Sequence, residues 1–166
     1  MTYRGHLAGG LVLAATAALA APALGLVETS DWVSLAGVAG TALFFSLFPD
    51  LDTSSVPQRW FFRAVFGLLI CLAWRGQYQV ATLVALVALL PVLDQHRGWT
   101  HSWWSPLVMP VLLGGIYELW RWPQQMPGER PAFGAIHLAC LGAAMWGWYG
   151  HLLLDGKLRI FPRDEA

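Results

Sequence analysis

In a chain that is 57% hydrophobic and only 12% charged, the side chains able to do acid–base or metal chemistry stand out, and they fall in four clusters. His6 stands alone near the start. Asp50 and Asp52 lie in Phe48-Pro49-Asp50-Leu51-Asp52. Asp94, His96, Arg97 and His101 share the stretch Asp94-Gln95-His96-Arg97-Gly98-Trp99-Thr100-His101-Ser102, and Gly150-His151-Leu152-Leu153-Leu154-Asp155 supplies the last pair. Imidazole and carboxylate are the ligands of Zn²⁺, Mn²⁺ or Fe²⁺, and a site with open positions needs only three or four of them. His151 and Asp155, four residues apart, share one face of a helix and can act together as ligands, or as a ligand and its orienting partner. His96 and His101 converge only if Gly98 lets the chain turn between them. His96, His101, His151 and Asp155 are the first choices as ligands, with His6 as a further one. Asp50 or Asp52 can serve as another ligand or as general base, and Arg97 can clamp an anionic group in bidentate fashion. Each also has a plain structural reading. His6 is a polar residue at a helix entrance, Asp50 follows a proline, and Asp52 precedes Thr53-Ser54-Ser55, a capping-type cluster.

The elements that must position these residues are apolar runs at 7–27, 32–48, 60–74, 78–93, 103–120 and 132–154. They predict six transmembrane helices in a single multi-pass domain over residues 1–166. A positive mean hydropathy of +0.52 and ten tryptophans, which favour the headgroup region, point to the same all-α membrane class. The third and fourth runs are short, rising only about 23 Å each. Joining them would bury Arg75-Gly76-Gln77 near the bilayer midplane, so a turn is expected there. The run from Leu7 to Val27 also contains Ala18-Leu19-Ala20-Ala21, a stretch that a cleavable signal peptide could use. Its length, about 21 residues, favours a spanning helix.

Alternating spans place Arg4, Arg59, Arg63, Arg97, Lys157, Arg159 and Arg163 on the face that holds both termini. Arg75, Arg121 and Arg130 fall on the other. The bias of seven to three predicts cytoplasmic termini. The same alternation gathers all four clusters on that face, although the spans were set without them. His137 falls about 21 Å along the last helix from His151 and reads as structural. Cys71 and Cys140 lie inside apolar runs and read as buried small hydrophobes. Scattered cations and a net charge of zero exclude a nucleic-acid surface.

At these residues the sequence resembles the YdjM-like family, LexA-regulated bacterial inner-membrane proteins described as predicted metal-dependent hydrolases. The resemblance is carried by His6-Leu7-Ala8-Gly9-Gly10, Pro49-Asp50-Leu51-Asp52, His96-Arg97-Gly98-Trp99-Thr100-His101-Ser102 and Gly150-His151-Leu152-Leu153-Leu154-Asp155. The third is the specific one. The resemblance implies a multi-pass protein of the bacterial cytoplasmic membrane, a divalent ion and hydrolase chemistry, and it leaves the substrate and Asp94 without assignment. Zn²⁺ or Mn²⁺ is the expected ion. The leading expectation is therefore a metal-dependent hydrolase at the cytoplasmic face, acting on a phosphoester or ester of an amphiphilic, lipid-like substrate, with the bilayer as its partner. A transporter would carry its ionisable residues near the midplane rather than at helix ends. A b-type haem protein would need two histidines within facing helices, and a non-enzymatic metal-binding membrane protein would differ only in lacking activity.

Overall fold

The computed structural model describes residues 3–52, 56–90, 99–121 and 133–156. Among the described residues the elements are six α-helices and two 3₁₀ turns, with no strand. The helices are α1 (Tyr3–Ala23), α2 (Trp32–Leu47), α3 (Val56–Trp74), α4 (Tyr78–Leu89), α5 (Ser105–Arg121) and α6 (Ala135–Leu154). The 3₁₀ turns span Phe48–Asp52 and Trp99–His101. Each predicted run thus has its helix. The expected break between the third and fourth is present, because Gly76 adopts φ 70°, a left-handed conformation that a side chain disfavours. Gly76 N–H donates to the Ala73 carbonyl and Gln77 N–H to that of Leu72, the paired closure that ends a helix in a Schellman motif. α3 begins four residues before its predicted run, since Pro57 lies in the first turn, where no intrahelical donor is lost. At 19 residues it rises about 28 Å.

The chain divides into two compact units, one formed by Met1–Leu47 with Ser102–Ala166 and the other by Phe48–His101. In the first, α1, α2 and α6 pack mutually and α5 packs on α6. Its core is built of small residues: Ala14, Ala17 and Ala21 of α1, Val38 and Ala42 of α2, and Ala139 and Ala143 of α6. Glycines bring the backbones closer still. A methyl group at Gly147 would run into the Ala42 carbonyl, and one at Gly150 into Leu13. Overpacking at such a crossing costs about 1–3 kcal/mol. Many large apolar side chains point outward instead, with Leu19 75% and Val12 63% exposed, although Trp148 and Leu152 of α6 are buried. Small residues at the helix crossings and many large ones facing outward is the pattern of helices that pack in lipid, where burial of apolar bulk gives no advantage over the hydrocarbon around it. The stretches Gly5–Ala23 and Trp32–Leu51 are long and apolar enough to cross a membrane.

In the second unit, α3 packs on α4 and on the first 3₁₀ turn, and the two 3₁₀ turns touch. Phe48 lies against Trp99, ring centroids 6.5 Å apart, and Gln58 Nε2 donates to the Leu51 carbonyl at 2.9 Å. The outward faces are again apolar, with Phe66 66% exposed.

Candidate metal centre

His151 enters the last turn of α6 fully buried. Its Nδ1 lies 2.8 Å from the Ser46 carbonyl at the end of α2. A carbonyl only accepts, so Nδ1 carries the hydrogen and donates it. In the neutral ring the lone pair then belongs to Nε2, which lies 3.7 Å from Asp155 Oδ2. A lone pair and a carboxylate oxygen face one another favourably only with a positive centre between them, whether a proton or a metal ion. An imidazole tied by its other nitrogen to a backbone carbonyl is also the usual arrangement of a metal-bound histidine.

Asp155 is placed by the way α6 ends. It caps the helix, its N–H donating to the His151 carbonyl at 3.0 Å, and Gly156 follows with φ 66° to turn the chain away. The other carboxylate oxygen, Oδ1, meets His6 Nε2 at 3.0 Å. His6, in the first turns of α1, is buried and stacks on His151 with ring centroids 4.6 Å apart and planes 24° from parallel. Its Nδ1 has no hydrogen-bond partner among the described residues. Gly9 and Gly10, just beyond it, let α1 lie against Leu154 and Ser46. Two imidazoles and one bridging carboxylate therefore meet where the start of α1 approaches the ends of α2 and α6.

The smaller unit brings together a second pair. Asp50 lies in the first 3₁₀ turn and His101 ends the second, and they offer ligand atoms within 4.8 Å of one another. Thr100, wholly buried, has its hydroxyl 3.1 Å from His101 Nδ1 and so fixes the ring. Asp50 and His101 in this unit, and His151 and Asp155 in the first, are each candidate metal-binding residues. Asp52 contributes its backbone to the first turn, while its side chain, His96 and Arg97 lie outside the described residues.

Sequence reasoning missed two contributors to this centre and one buried carboxylate elsewhere. Ser46 acts through its carbonyl, which every residue type possesses. Thr100 stood within the His-Arg-Gly-Trp-Thr-His-Ser stretch, and its position beside His101 was the available signal. Glu118, which the sequence did not single out, is buried against His137 at the far end of α6, its Oε1 3.0 Å from Nδ1.

A family model described as YdjM inner membrane protein matches residues 1–157, a span that holds every candidate ligand from His6 to Asp155. The chain belongs to the YdjM inner membrane protein family. This agrees with the resemblance carried by the four motifs and makes the chain an inner-membrane protein. Neither a curated protein nor a solved structure matches it. Nothing in the YdjM description names a reaction, so the chemistry rests on the site.

Proposed function

We propose that this YdjM family member is a metal-dependent hydrolase of the inner membrane. Six helices would cross the bilayer, with both termini and the site at the cytoplasmic face. The observation that carries the reading is the buried His151 ring, with Nδ1–H given to the Ser46 carbonyl and Nε2 turned toward Asp155. The reading takes Asp50, His101, His151 and Asp155 as ligands of one divalent ion, Zn²⁺ or Mn²⁺, with His96 as a further donor. Chain continuity supports joining them. Ser46 precedes Asp50 by four residues, and Trp103, whose carbonyl accepts the Tyr149 hydroxyl at 3.0 Å, follows His101 by two. His6 then acts as a positioning residue, holding one Asp155 oxygen so that the other faces His151.

A divalent ion held there would supply a Lewis acid and lower the pKa of water to near neutrality. The chain's own residues do the rest. Asp52 is the proposed general base, and the Arg97 guanidinium neutralises charge on phosphoryl oxygens, which favours a phosphoester over a peptide bond. Helix-end ligands let a group at headgroup depth reach the site without crossing hydrocarbon. Trp103, 70% exposed, offers an aromatic side chain at that rim. An amphiphilic substrate fits these conditions.

The test is hydrolysis of phospholipid, prenyl-phosphate and acyl-ester substrates by detergent-purified protein, with and without a chelator. Chelator-sensitive release from one substrate class is expected. Protein that holds its metal but releases nothing from the whole panel would reduce the site to a structural one.

A further inference from the structure

α3 carries Arg59 and Arg63 in its first turns and then runs from Ala64 to Trp74 without a charge, about 16 Å at helical rise. At ~3.6 residues per turn, Arg59, Trp60, Arg63, Phe66, Gly67 and Ile70 fall within roughly 120° of arc. All of them are exposed. They form one stripe that is amphiphilic along its length, with cations and an indole at the start and apolar groups beyond. The Arg63 guanidinium lies over the Trp60 ring, 5.4 Å from its centroid. It therefore leans back toward the helix start, as helical side chains do, and its charge rises toward Arg59. Neither arginine pairs with a carboxylate among the described residues. One turn further on, a methyl group at Gly67 would meet nothing within 4 Å, so the glycine leaves an open notch between Arg63 and Ile70.

We infer, on the proposed crossing of the bilayer by α3, that this stripe binds an anionic phospholipid, its phosphodiester against Arg59 and Arg63 and an acyl chain along the notch at Gly67. A guanidinium fork meets two phosphate oxygens at once, and the Trp60 ring already holds the Arg63 fork in place, so less freedom is lost on binding. Long apolar stems let both charges reach the headgroup layer while the helix continues into hydrocarbon. A zwitterionic headgroup fits less well, because its ammonium group would meet the same two guanidiniums. A second copy of the chain is a poorer occupant for a related reason. Copies inserted in one orientation and packed stripe to stripe would bring their arginines together.

The full chain, purified in detergent, is titrated with phosphatidylglycerol and with phosphatidylcholine of the same acyl chains, and bound lipid is counted by native mass spectrometry. Phosphatidylglycerol should bind about tenfold more tightly. Arg59→Gln combined with Arg63→Gln should abolish that preference while helical circular dichroism and bound metal are retained. Gly67→Leu, which favours the helix but fills the notch, should weaken both lipids alike. A spin label on the exposed Cys71 of α3, in a Cys140→Ala background, reads the bilayer crossing separately in nanodiscs. Oxygen should relax that label more strongly than a water-soluble nickel complex does. The opposite ranking would overturn the crossing and the lipid site with it. With the label in hydrocarbon, the lipid site alone is overturned by equal affinity for the two lipids, by no binding of either, by a preference undiminished in the folded double variant, or by unchanged binding in Gly67→Leu.

Discussion

Each end of α6 closes a histidine–carboxylate contact of 3.0 Å with a neighbouring helix, Asp155 with His6 of α1 at one end and His137 with Glu118 of α5 at the other. Distance alone does not tell them apart. At the C-terminal end the carboxylate spans two stacked imidazoles, and a backbone carbonyl fixes which nitrogen of His151 carries its hydrogen. At the N-terminal end one imidazole meets one carboxylate beside a cavity with aromatic walls. The first arrangement concentrates donors on a point, as a metal ion requires, and the second sets a single pair at the edge of a cavity. What surrounds a pair, rather than the pair itself, decides its chemistry.

The largest difference is expected from removing charge at each end without changing shape. Asp155→Asn should weaken metal binding on the order of a hundredfold, measured by competition with a chelating dye. Glu118→Gln, remote from the ligands, should change it by less than about twofold. Equal losses would mean that the two ends act as one site. A far smaller effect is expected from Asp31, which caps α2 through its Oδ1 and the Ser34 N–H at 3.0 Å. Hydrogen bonds from the Ser34 side chain, then its backbone, hold the Asp31 carboxyl below its ordinary value of 3.8. The folded state therefore binds that proton less readily than the unfolded one. The cap's contribution is complete above the ordinary value and is lost as pH falls through the lowered one. Asp31→Ala should melt slightly below the wild type at neutral pH, and the gap should close in strong acid without altering either end of α6. A gap that persists in acid would show that the charge plays no part.

Much of this contrast was readable in the residues. The six helices followed from apolar runs, and the break at Arg75-Gly76-Gln77 followed from the cost of a cation at the midplane. His101, His151 and the two aspartates were conspicuous because polar side chains are scarce in this chain. Ser46 was not, since a carbonyl leaves no mark on residue identity, and the hydrogen-bonding state of His151 depends on it. Glu118 was hidden for a different reason. Next to Leu119, Trp120 and Arg121 it resembles a solvated helix end, and only the packing of α5 on α6 turns it toward His137. His137 was expected to be structural because it stands far along α6 from His151. That separation holds, and it gives the account its internal control.

The most direct test is elemental analysis of protein purified in detergent, comparing wild type with His151→Ala and His137→Ala, each checked for helical content by circular dichroism. The account predicts bound divalent metal in the wild type and in His137→Ala, and its loss from folded His151→Ala. Equal metal content in all three folded proteins would contradict it.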